Sequence, residues 1–265
     1  MTTSQDAAAV AESTASAGAY AQVNGLNMYY EVHDVGRPLV LIHGGVLTID
    51  LCFRSLIPAL AAEHQVIAVE LQAHGRTADI DREMSVEYLA NDVVALLDHL
   101  DIDRADFFGF SLGGLTSLQA AVRYPDRVGR LVIASVQYQP GGYYDEIFDS
   151  TAWATSRKLP TQDDFRAMQE AYTQVAPNPE HFQASLDKTS AMVAAFQGWK
   201  ADDLRGITAP TLIVIGDDDF VRPEHAAEMH RLIPDSRLAI LPGTTHMGVM
   251  RQTDLLLPML ASFLG

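Results

Sequence analysis

A serine between glycines, at a junction between a strand pattern and a helix pattern, constrains this chain more than any other feature. The segment Gly109-Phe110-Ser111-Leu112-Gly113-Gly114 has the form G-x-S-x-G. The apolar run 105–108 before it is typical of a buried strand, and apolar residues recur at helical spacing after it until Tyr124-Pro125. A sharp turn at this junction lifts the serine hydroxyl above the sheet edge, and glycines are needed where a side chain would collide with the adjacent strand and helix. The motif therefore predicts Ser111 as a nucleophile.

Three further segments occur in an order that suits nucleophilic catalysis. Residues 40–45, Val-Leu-Ile-His-Gly-Gly, form an apolar strand pattern that runs into a glycine loop upstream of the serine. Residues 211–216 form another buried-strand pattern, and His246 follows the turn-rich run 242–245 before the last predicted helix. A nucleophilic serine needs a base to accept its proton and an acid to orient that base. The acid candidates directly follow the 211–216 strand and are Asp217, Asp218 and Asp219.

With these four segments in this order, the chain resembles the α/β-hydrolase superfamily from about Tyr20 to its C-terminus. The resemblance implies an α/β fold, with a mostly parallel eight-stranded sheet, helices on both faces and an inserted helical lid. It also implies a Ser–Asp–His triad in that chain order. The family pattern Gly-x-x-Asp, followed by a proline, selects Asp219 between Gly216 and Pro223. Asp217 and Asp218 stay open as alternatives.

A serine that forms an acyl-enzyme also needs backbone N–H groups directed at the oxyanion of the tetrahedral intermediate. The resemblance implies that one donor is the N–H of Leu112, the residue after the nucleophile. The second is implied in the loop that follows the first parallel strand, where family position favours Gly45 and leaves Val46 as the alternative.

Four chemically versatile residues near these motifs receive structural interpretations. His43 is expected to order the glycine loop. His74 lies in a segment similar to a loop of the family and is expected to have a structural role. Glu70 ends a strand pattern and is expected to support residues of the site without contacting the substrate. Cys52, the single cysteine, is expected to be a packed thiol. The remaining histidines are scattered along the chain, so neither a metal site nor a cofactor is expected.

Apolar strand patterns alternate with helix patterns along most of the chain, which favours a parallel sheet covered on both faces. The clearest helix is predicted over 86–100, with Ser85 as its N-terminal cap. The predicted strands begin with a hairpin and cover residues 20–23, 28–32, 39–42, 66–69, 105–108, 131–134, 212–215 and 238–240.

About seventy residues between Ser135 and Thr211 lack a strand pattern. Helices are predicted there over 143–157, 163–174 and 179–196, the last capped by Asn178. The segment resembles the helical cap that many α/β-hydrolases carry at this point. The expected division is a flexible tail at 1–18, a core at 19–138 and 207–265, and a cap at 139–206. Residues expected to line a pocket under the cap are Tyr143, Tyr144, Phe148, Trp153, Trp199 and Met247.

Composition sets limits on the partners of the chain. Its 265 residues suffice for one domain with an insertion, and its formal net charge of −16 argues against nucleic acid and anionic membranes as partners. A single cysteine cannot form an internal disulfide, which favours the reducing cytoplasm. We expect a small-molecule substrate, no membrane association, and possible assembly into a homo-oligomer.

The expected reaction is hydrolysis of a carboxylic ester or lactone of a small to medium, partly apolar molecule through an acyl-enzyme. A serine at the turn disfavours relatives that use aspartate there, such as haloalkane dehalogenases and epoxide hydrolases. C–C bond hydrolases and perhydrolases or haloperoxidases are alternatives, although the run Gly45-Val46-Leu47 lacks the proline found in their oxyanion loops. A non-hydrolytic ligand-binding or lyase role on the same fold also stays open.

Overall fold

An eight-stranded sheet forms the centre of the protein, in a computed structural model that describes residues 18–149, 151, 152 and 155–265. The strand order is β1-β2-β4-β3-β5-β6-β7-β8, with antiparallel pairing at β1–β2 and β2–β4 and parallel pairing at every other junction. This confirms the predicted, mostly parallel sheet. The strands are β1 (Ala19–Val23), β2 (Leu26–His33), β3 (Arg37–Ile42), β4 (His64–Val69), β5 (Ala105–Phe110), β6 (Val128–Ala134), β7 (Thr211–Gly216) and β8 (Ser236–Leu241).

Helices cover both faces of the sheet. Within the described ranges, no helix combines the length and apolar character needed to cross a bilayer. The predicted tail lies outside the described residues except for Gly18. The helices are α1 (Ile49–Phe53), α2 (Ile57–Ala61), α3 (Val86–His99), α4 (Leu112–Arg123), α5 (Gln162–Val175), α6 (Phe182–Ala195), α7 (Ala201–Arg205), α8 (Pro223–Leu232), α9 (His246–Val249) and α10 (Thr253–Leu264).

Alternation along the buried strands sends side chains into two separate apolar layers. Phe107 packs with the layer under α3 and α4, whereas its neighbour Phe108 packs on the opposite face with Phe53 of α1. Phe107 and Phe108 are both fully buried, and each such side chain contributes about 1.5–3 kcal/mol by leaving water. The central strands are therefore fixed from both sides, which holds their C-terminal ends in place.

Local signals in the sequence explain several element boundaries. Helix α3 begins as predicted, with the Ser85 hydroxyl accepting the Tyr88 N–H at 3.2 Å. The β1–β2 hairpin turns at Asn24 and Gly25, which both have positive φ angles, 49° and 82°. This conformation suits a two-residue turn between twisted antiparallel strands.

The segment 139–206 between β6 and β7, here called the insertion, contains α5, α6 and α7. The helix predicted over 143–157 is wrong, because the described residues of this stretch form a single short 3-10 turn, at Asp145–Phe148. Tyr143 forms an extended bridge to Val221, and the Tyr144 N–H donates to the Phe220 carbonyl at 2.9 Å. These long-range bonds hold the backbone away from helical geometry.

The other two predicted helices of the insertion are present with adjusted boundaries. The helix predicted over 163–174 is α5, whose N-terminus is closed by a reciprocal capping box between Thr161 and Asp164. The helix predicted over 179–196 divides into a 3-10 turn, Pro179–His181, and α6. Asn178 makes no side-chain cap there, which corrects the predicted cap.

The strand order places the candidate site residues next to one another. Strands β3, β5, β6, β7 and β8 are consecutive neighbours and run parallel. Parallel neighbours present their C-terminal ends at one edge, where open α/β sheets bind ligands. The segments that follow these five strands therefore meet at this edge.

Candidate active site

Ser111 lies on a tight turn between β5 and α4. Its backbone has φ 52° and ψ −115°, an unusual conformation for a residue with a side chain. A Cβ at Gly109 would lie 2.1 Å from the Gly113 carbonyl oxygen, and one at Gly113 would lie 1.9 Å from the Ile42 carbonyl oxygen. The structure therefore confirms why glycines flank the serine: α4 approaches the strands too closely for a side chain. Ser111 is half-buried at the sheet edge.

His246 and Asp219 form a buried pair beside this turn. The His246 Nδ1–H donates to Asp219 Oδ1 at 2.8 Å, and both side chains are almost fully removed from solvent. The Val221 N–H also donates to Asp219 Oδ1, at 3.0 Å. With Nδ1 bonded to the carboxylate, the other imidazole nitrogen, Nε2, is the one available as a base.

The two neighbouring acids are occupied elsewhere. Asp217 is exposed and accepts the Thr244 N–H at 3.0 Å, and backbone donors from Thr244 and Gly243 lower the pKa of its carboxyl. Asp218 forms an ion pair with Lys158 at 3.4 Å. Of the three acids open in the sequence, Asp219 is the one that the structure brings to the histidine.

Two phenylalanine rings hold the His246 imidazole. Phe220 stacks on it with 3.7 Å between ring centroids, and Phe110 lies 4.9 Å away. Because Phe110 directly precedes Ser111, its contact brings the imidazole to the turn that carries the serine. Sequence reasoning did not assign Phe220 a place in the site, although it adjoins the selected acid.

Ser135 is a further site residue that the sequence did not indicate. It follows β6, is buried, and has a positive φ of 58°. Its hydroxyl donates to Asp219 Oδ2 at 2.6 Å, opposite the oxygen that accepts from His246. Strained backbone at a buried polar residue is common at functional sites. We interpret Ser135 as a positioning residue for the acid.

Replacing Ser135 with alanine is expected to lower kcat about tenfold, since one charge-assisted hydrogen bond to the Asp219 carboxylate is lost. The variant is also expected to shift the downfield proton NMR signal of the His246 Nδ1–H. Ser236→Ala, which removes a serine hydroxyl bonded to the carbonyls of His230 and Ile233, is the matched control. An unchanged NMR signal with wild-type kcat would contradict the positioning role.

The glycine loop after β3 forms a closed turn beside the serine. The Leu47 N–H donates to the Gly44 carbonyl at 3.2 Å, so Gly45 and Val46 occupy the central positions. Val46 has a φ of 61°, which is rare for a β-branched residue. A Cβ at Gly45 would lie 3.9 Å from the Leu112 Cβ. The residues predicted to supply the two oxyanion donors are therefore adjacent, and their role stays a prediction.

Comparison with known proteins agrees with this architecture. A family model of the alpha/beta hydrolase fold matches residues 37–252. The chain belongs to the α/β-hydrolase family. The predicted hydrolase of this fold is thereby confirmed, while the particular bond it cleaves is not decided by family membership.

Individual relatives of this α/β-hydrolase differ in their activities. The dihydrolipoyllysine-residue acetyltransferase component of the acetoin cleaving system of Pseudomonas putida is 32% identical over 241 residues. The match covers 86% of this chain but 64% of that protein, so the hydrolase spans less than two thirds of it. The 2-hydroxy-6-oxo-2,4-heptadienoate hydrolase of Pseudomonas putida is 32% identical over 250 residues, covering 81% of this chain and 85% of that enzyme.

The enol-lactonase from Burkholderia xenovorans LB400 is a structural neighbour of the hydrolase. The two structures superpose with a TM-score of 0.74 at 23% identity, over 92% of this chain and 99% of that one. At this level of identity the similarity shows the fold alone.

Two buried histidines, His43 and His74, lie side by side with ring centroids 5.0 Å apart, and His43 bonds the glycine loop of the hydrolase. The His43 Nδ1–H donates to the Gly44 carbonyl at 2.7 Å, while its Nε2 accepts the Leu71 N–H at 3.2 Å. Burial lowers the pKa of His43 to about 3 and that of His74 to about 4. Both ring nitrogens of His43 are therefore bonded to the backbone, in agreement with its structural interpretation.

Glu70 and Cys52 also behave as the sequence analysis expected. Glu70 is fully buried, and it accepts the Arg76 backbone N–H at 2.5 Å and the Ile49 N–H at 3.3 Å. These bonds tie the loop after β4 to the start of α1. Burial raises the pKa of the Glu70 carboxyl, against the lowering effect of Arg76. Burial likewise raises the pKa of the Cys52 thiol to about 12, so it stays an unreactive packed group.

The predicted pocket residues lie in different surroundings. Tyr143 is buried against Phe220, with ring centroids 5.8 Å apart, and so connects to His246 through one ring. Trp199 donates its indole N–H to the Gln119 side chain of α4 at 2.6 Å, a bond that anchors this end of the insertion to the core. Phe148 is 59% exposed. Their pocket role stays a prediction.

Two of the remaining three predicted pocket residues are half-buried, and the third is not described. Tyr144 is half-buried, with the Arg222 guanidinium 4.4 Å above its ring. Met247 is half-buried directly after His246. Trp153 lies outside the described residues.

Proposed function

We propose that this α/β-hydrolase cleaves a carboxylic ester or lactone through an acyl-enzyme on Ser111. The observation that carries the proposal is the 2.8 Å bond between Asp219 and His246, placed against the turn that presents the serine. In this proposal Ser111 is the nucleophile, His246 the base and Asp219 the orienting acid at one edge of the sheet.

In the proposed reaction, Ser111 Oγ attacks the substrate carbonyl carbon while His246 Nε2 accepts the serine proton. Asp219 holds the imidazole in the required tautomer and stabilises its positive form. The N–H groups of Gly45 and Leu112 donate to the developing oxyanion. Collapse of the tetrahedral intermediate expels the alcohol, which takes the proton from His246. Water then attacks the acyl-enzyme while His246 accepts its proton, and the acid leaves as His246 returns a proton to Ser111.

The insertion, residues 139–206, is proposed to act as a lid over this site. Support comes from α6, which packs directly on the loops at the sheet edge through Ser185 and Thr189. Buried aromatic and apolar side chains near His246, including Phe220, support a substrate that is small to medium in size and partly apolar. We also propose that the substrate is a free small molecule in the cytoplasm.

A panel of p-nitrophenyl acyl esters, aryl-free methyl esters and simple lactones tests this proposal. Turnover that follows saturation kinetics and disappears in His246→Ala is the expected result. A folded protein that cleaves none of the panel members would refute the ester and lactone assignment. His181→Ala, a change at an exposed histidine in the turn before α6, is the matched control.

Hydrolysis of a C–C bond is the second candidate function. It is favoured by the 32% identity to 2-hydroxy-6-oxo-2,4-heptadienoate hydrolase of Pseudomonas putida. A vinylogous keto acid of that type absorbs in the near ultraviolet or visible range, so its cleavage can be followed directly. Faster turnover of such a keto acid than of every ester in the panel would select this function in place of the first.

A further inference from the structure

Thr189 of α6 lies against the proposed oxyanion turn. A Cβ at Gly45 would be 2.9 Å from Thr189 Cγ2 and 3.9 Å from Leu112 Cβ. Gly45 is therefore enclosed between the residue after the nucleophile and a side chain from the insertion. Thr189 reaches the turn through its methyl group.

The Thr189 hydroxyl is buried without a hydrogen-bond partner among the described residues. The residue is 7% exposed. A buried hydroxyl without a partner destabilises the folded state, and native proteins keep few such groups. Helical threonines commonly bond a carbonyl of the preceding turn, which makes an unpaired one in α6 more notable. A buried polar group of this kind, next to a reaction centre, is available to a ligand.

Bonds from the same stretch of α6 hold the helix in place at Thr189. The Ser185 hydroxyl, one helical turn earlier, donates to the Ala73 carbonyl at 2.5 Å. Lys188 pairs with Asp79 at 2.7 Å and donates to the Ile80 carbonyl at 3.1 Å. All three bonds join α6 to the loop that follows β4, so Thr189 stays beside the oxyanion turn.

We propose that Thr189 Oγ1 binds an oxygen on the carbon next to the scissile carbonyl, so that the hydrolase prefers esters or lactones of 2-hydroxy or 2-oxo acids. This inference rests on the proposed function. The methyl group is the Thr189 atom nearest to the Cβ position of Gly45, so the hydroxyl lies farther from the oxyanion turn than the methyl group does. An oxygen one carbon away from the carbonyl is displaced in the same way. Thr189 would thus determine specificity and take no part in proton transfer.

The test compares kcat/KM for two matched substrate pairs: methyl lactate with methyl propionate, and 2-hydroxy-γ-butyrolactone with γ-butyrolactone. Wild type is expected to favour the hydroxylated member of each pair. Thr189→Val keeps the methyl contact and removes the hydroxyl, so it should lower that preference about three- to tenfold, the effect of one neutral hydrogen bond. Thr189→Ser keeps the hydroxyl and should retain the preference.

Thr173→Val is the control, because that threonine is exposed on α5 and its hydroxyl bonds the Gln169 carbonyl of its own helix. Thr189→Val should also unfold no more easily than wild type, since it removes an unpaired buried hydroxyl. If wild type cleaves all four substrates but Thr189→Val leaves the preference unchanged, or slows both members of a pair equally, the inference is overturned and the proposed function stands. If wild type cleaves none of them and none of the broader ester panel, the proposed function fails as well.

Discussion

Replacing Ser111 with alanine is expected to lower kcat for every ester substrate by about four to six orders of magnitude. No other side chain at this turn offers a nucleophilic oxygen, and the acyl-enzyme cannot form without one. The fold should persist, because Ser111 is half-buried at the sheet edge and alanine removes a single non-hydrogen atom. Stopped-flow and steady-state assays with a p-nitrophenyl ester measure the loss, including the disappearance of any burst.

The control for this change is Ser117→Ala on the same helix, α4. Ser117 is a buried serine whose hydroxyl donates to the Gly113 carbonyl at 2.8 Å. Its replacement probes the loss of a serine hydroxyl near the turn without touching the nucleophile, and it should change kcat by less than about tenfold. Residual activity of Ser111→Ala within a hundredfold of wild type would refute the assignment of the nucleophile.

Replacing Asp219 with asparagine is expected to lower kcat by about three to four orders of magnitude. An amide can donate to His246 Nδ1 and so stabilise the wrong tautomer, in which Nε2 carries the proton and cannot accept one from Ser111. The imidazolium that forms in the transition state also loses its counter-charge, which lies 2.8 Å away in the wild-type structure. Steady-state kinetics on an activated ester, at a pH where wild type is fully active, measure the effect.

Asp217→Asn makes the same chemical change two residues earlier and is the matched control. Asp217 is exposed, and asparagine can still accept the Thr244 N–H. Its kcat should stay within about threefold of wild type, as expected for a surface substitution. A severe loss in Asp217→Asn together with a mild one in Asp219→Asn would move the acid to position 217 and contradict the geometry of the site.

Features set by short-range sequence patterns were predictable. The turn at Ser111 could be anticipated because a strand, a glycine-flanked serine and a helix occur within one continuous stretch of chain. Asp219 could be selected because the resemblance to the α/β-hydrolases supplies the pattern that begins at Gly216 and ends at Pro223, and the structure places it against His246. The eight-stranded sheet followed from the alternation of buried strands and helices, since helices must cover both faces of a parallel sheet.

Features set by contacts between distant segments were not predictable. Tyr143 and Tyr144 have helix-compatible neighbours, yet bonds to Val221 and Phe220 hold them in extended conformation. Ser135 approaches Asp219 because β6 and β7 are adjacent, a fact of sheet order that no local pattern contains. Thr189 approaches Gly45 across more than a hundred residues of chain. The sequence around such side chains contains no local pattern that indicates these contacts.

The most direct test of the central claim is mass spectrometry of the purified protein after treatment with a fluorophosphonate. The account predicts a single covalent adduct on the peptide that contains Ser111, formed quickly in wild type and Ser117→Ala. The same adduct should be absent from Ser111→Ala and form much more slowly in His246→Ala, because the serine is activated by the imidazole. A folded protein that forms no adduct, or forms it on another residue, would contradict a serine-based acyl-enzyme in this hydrolase.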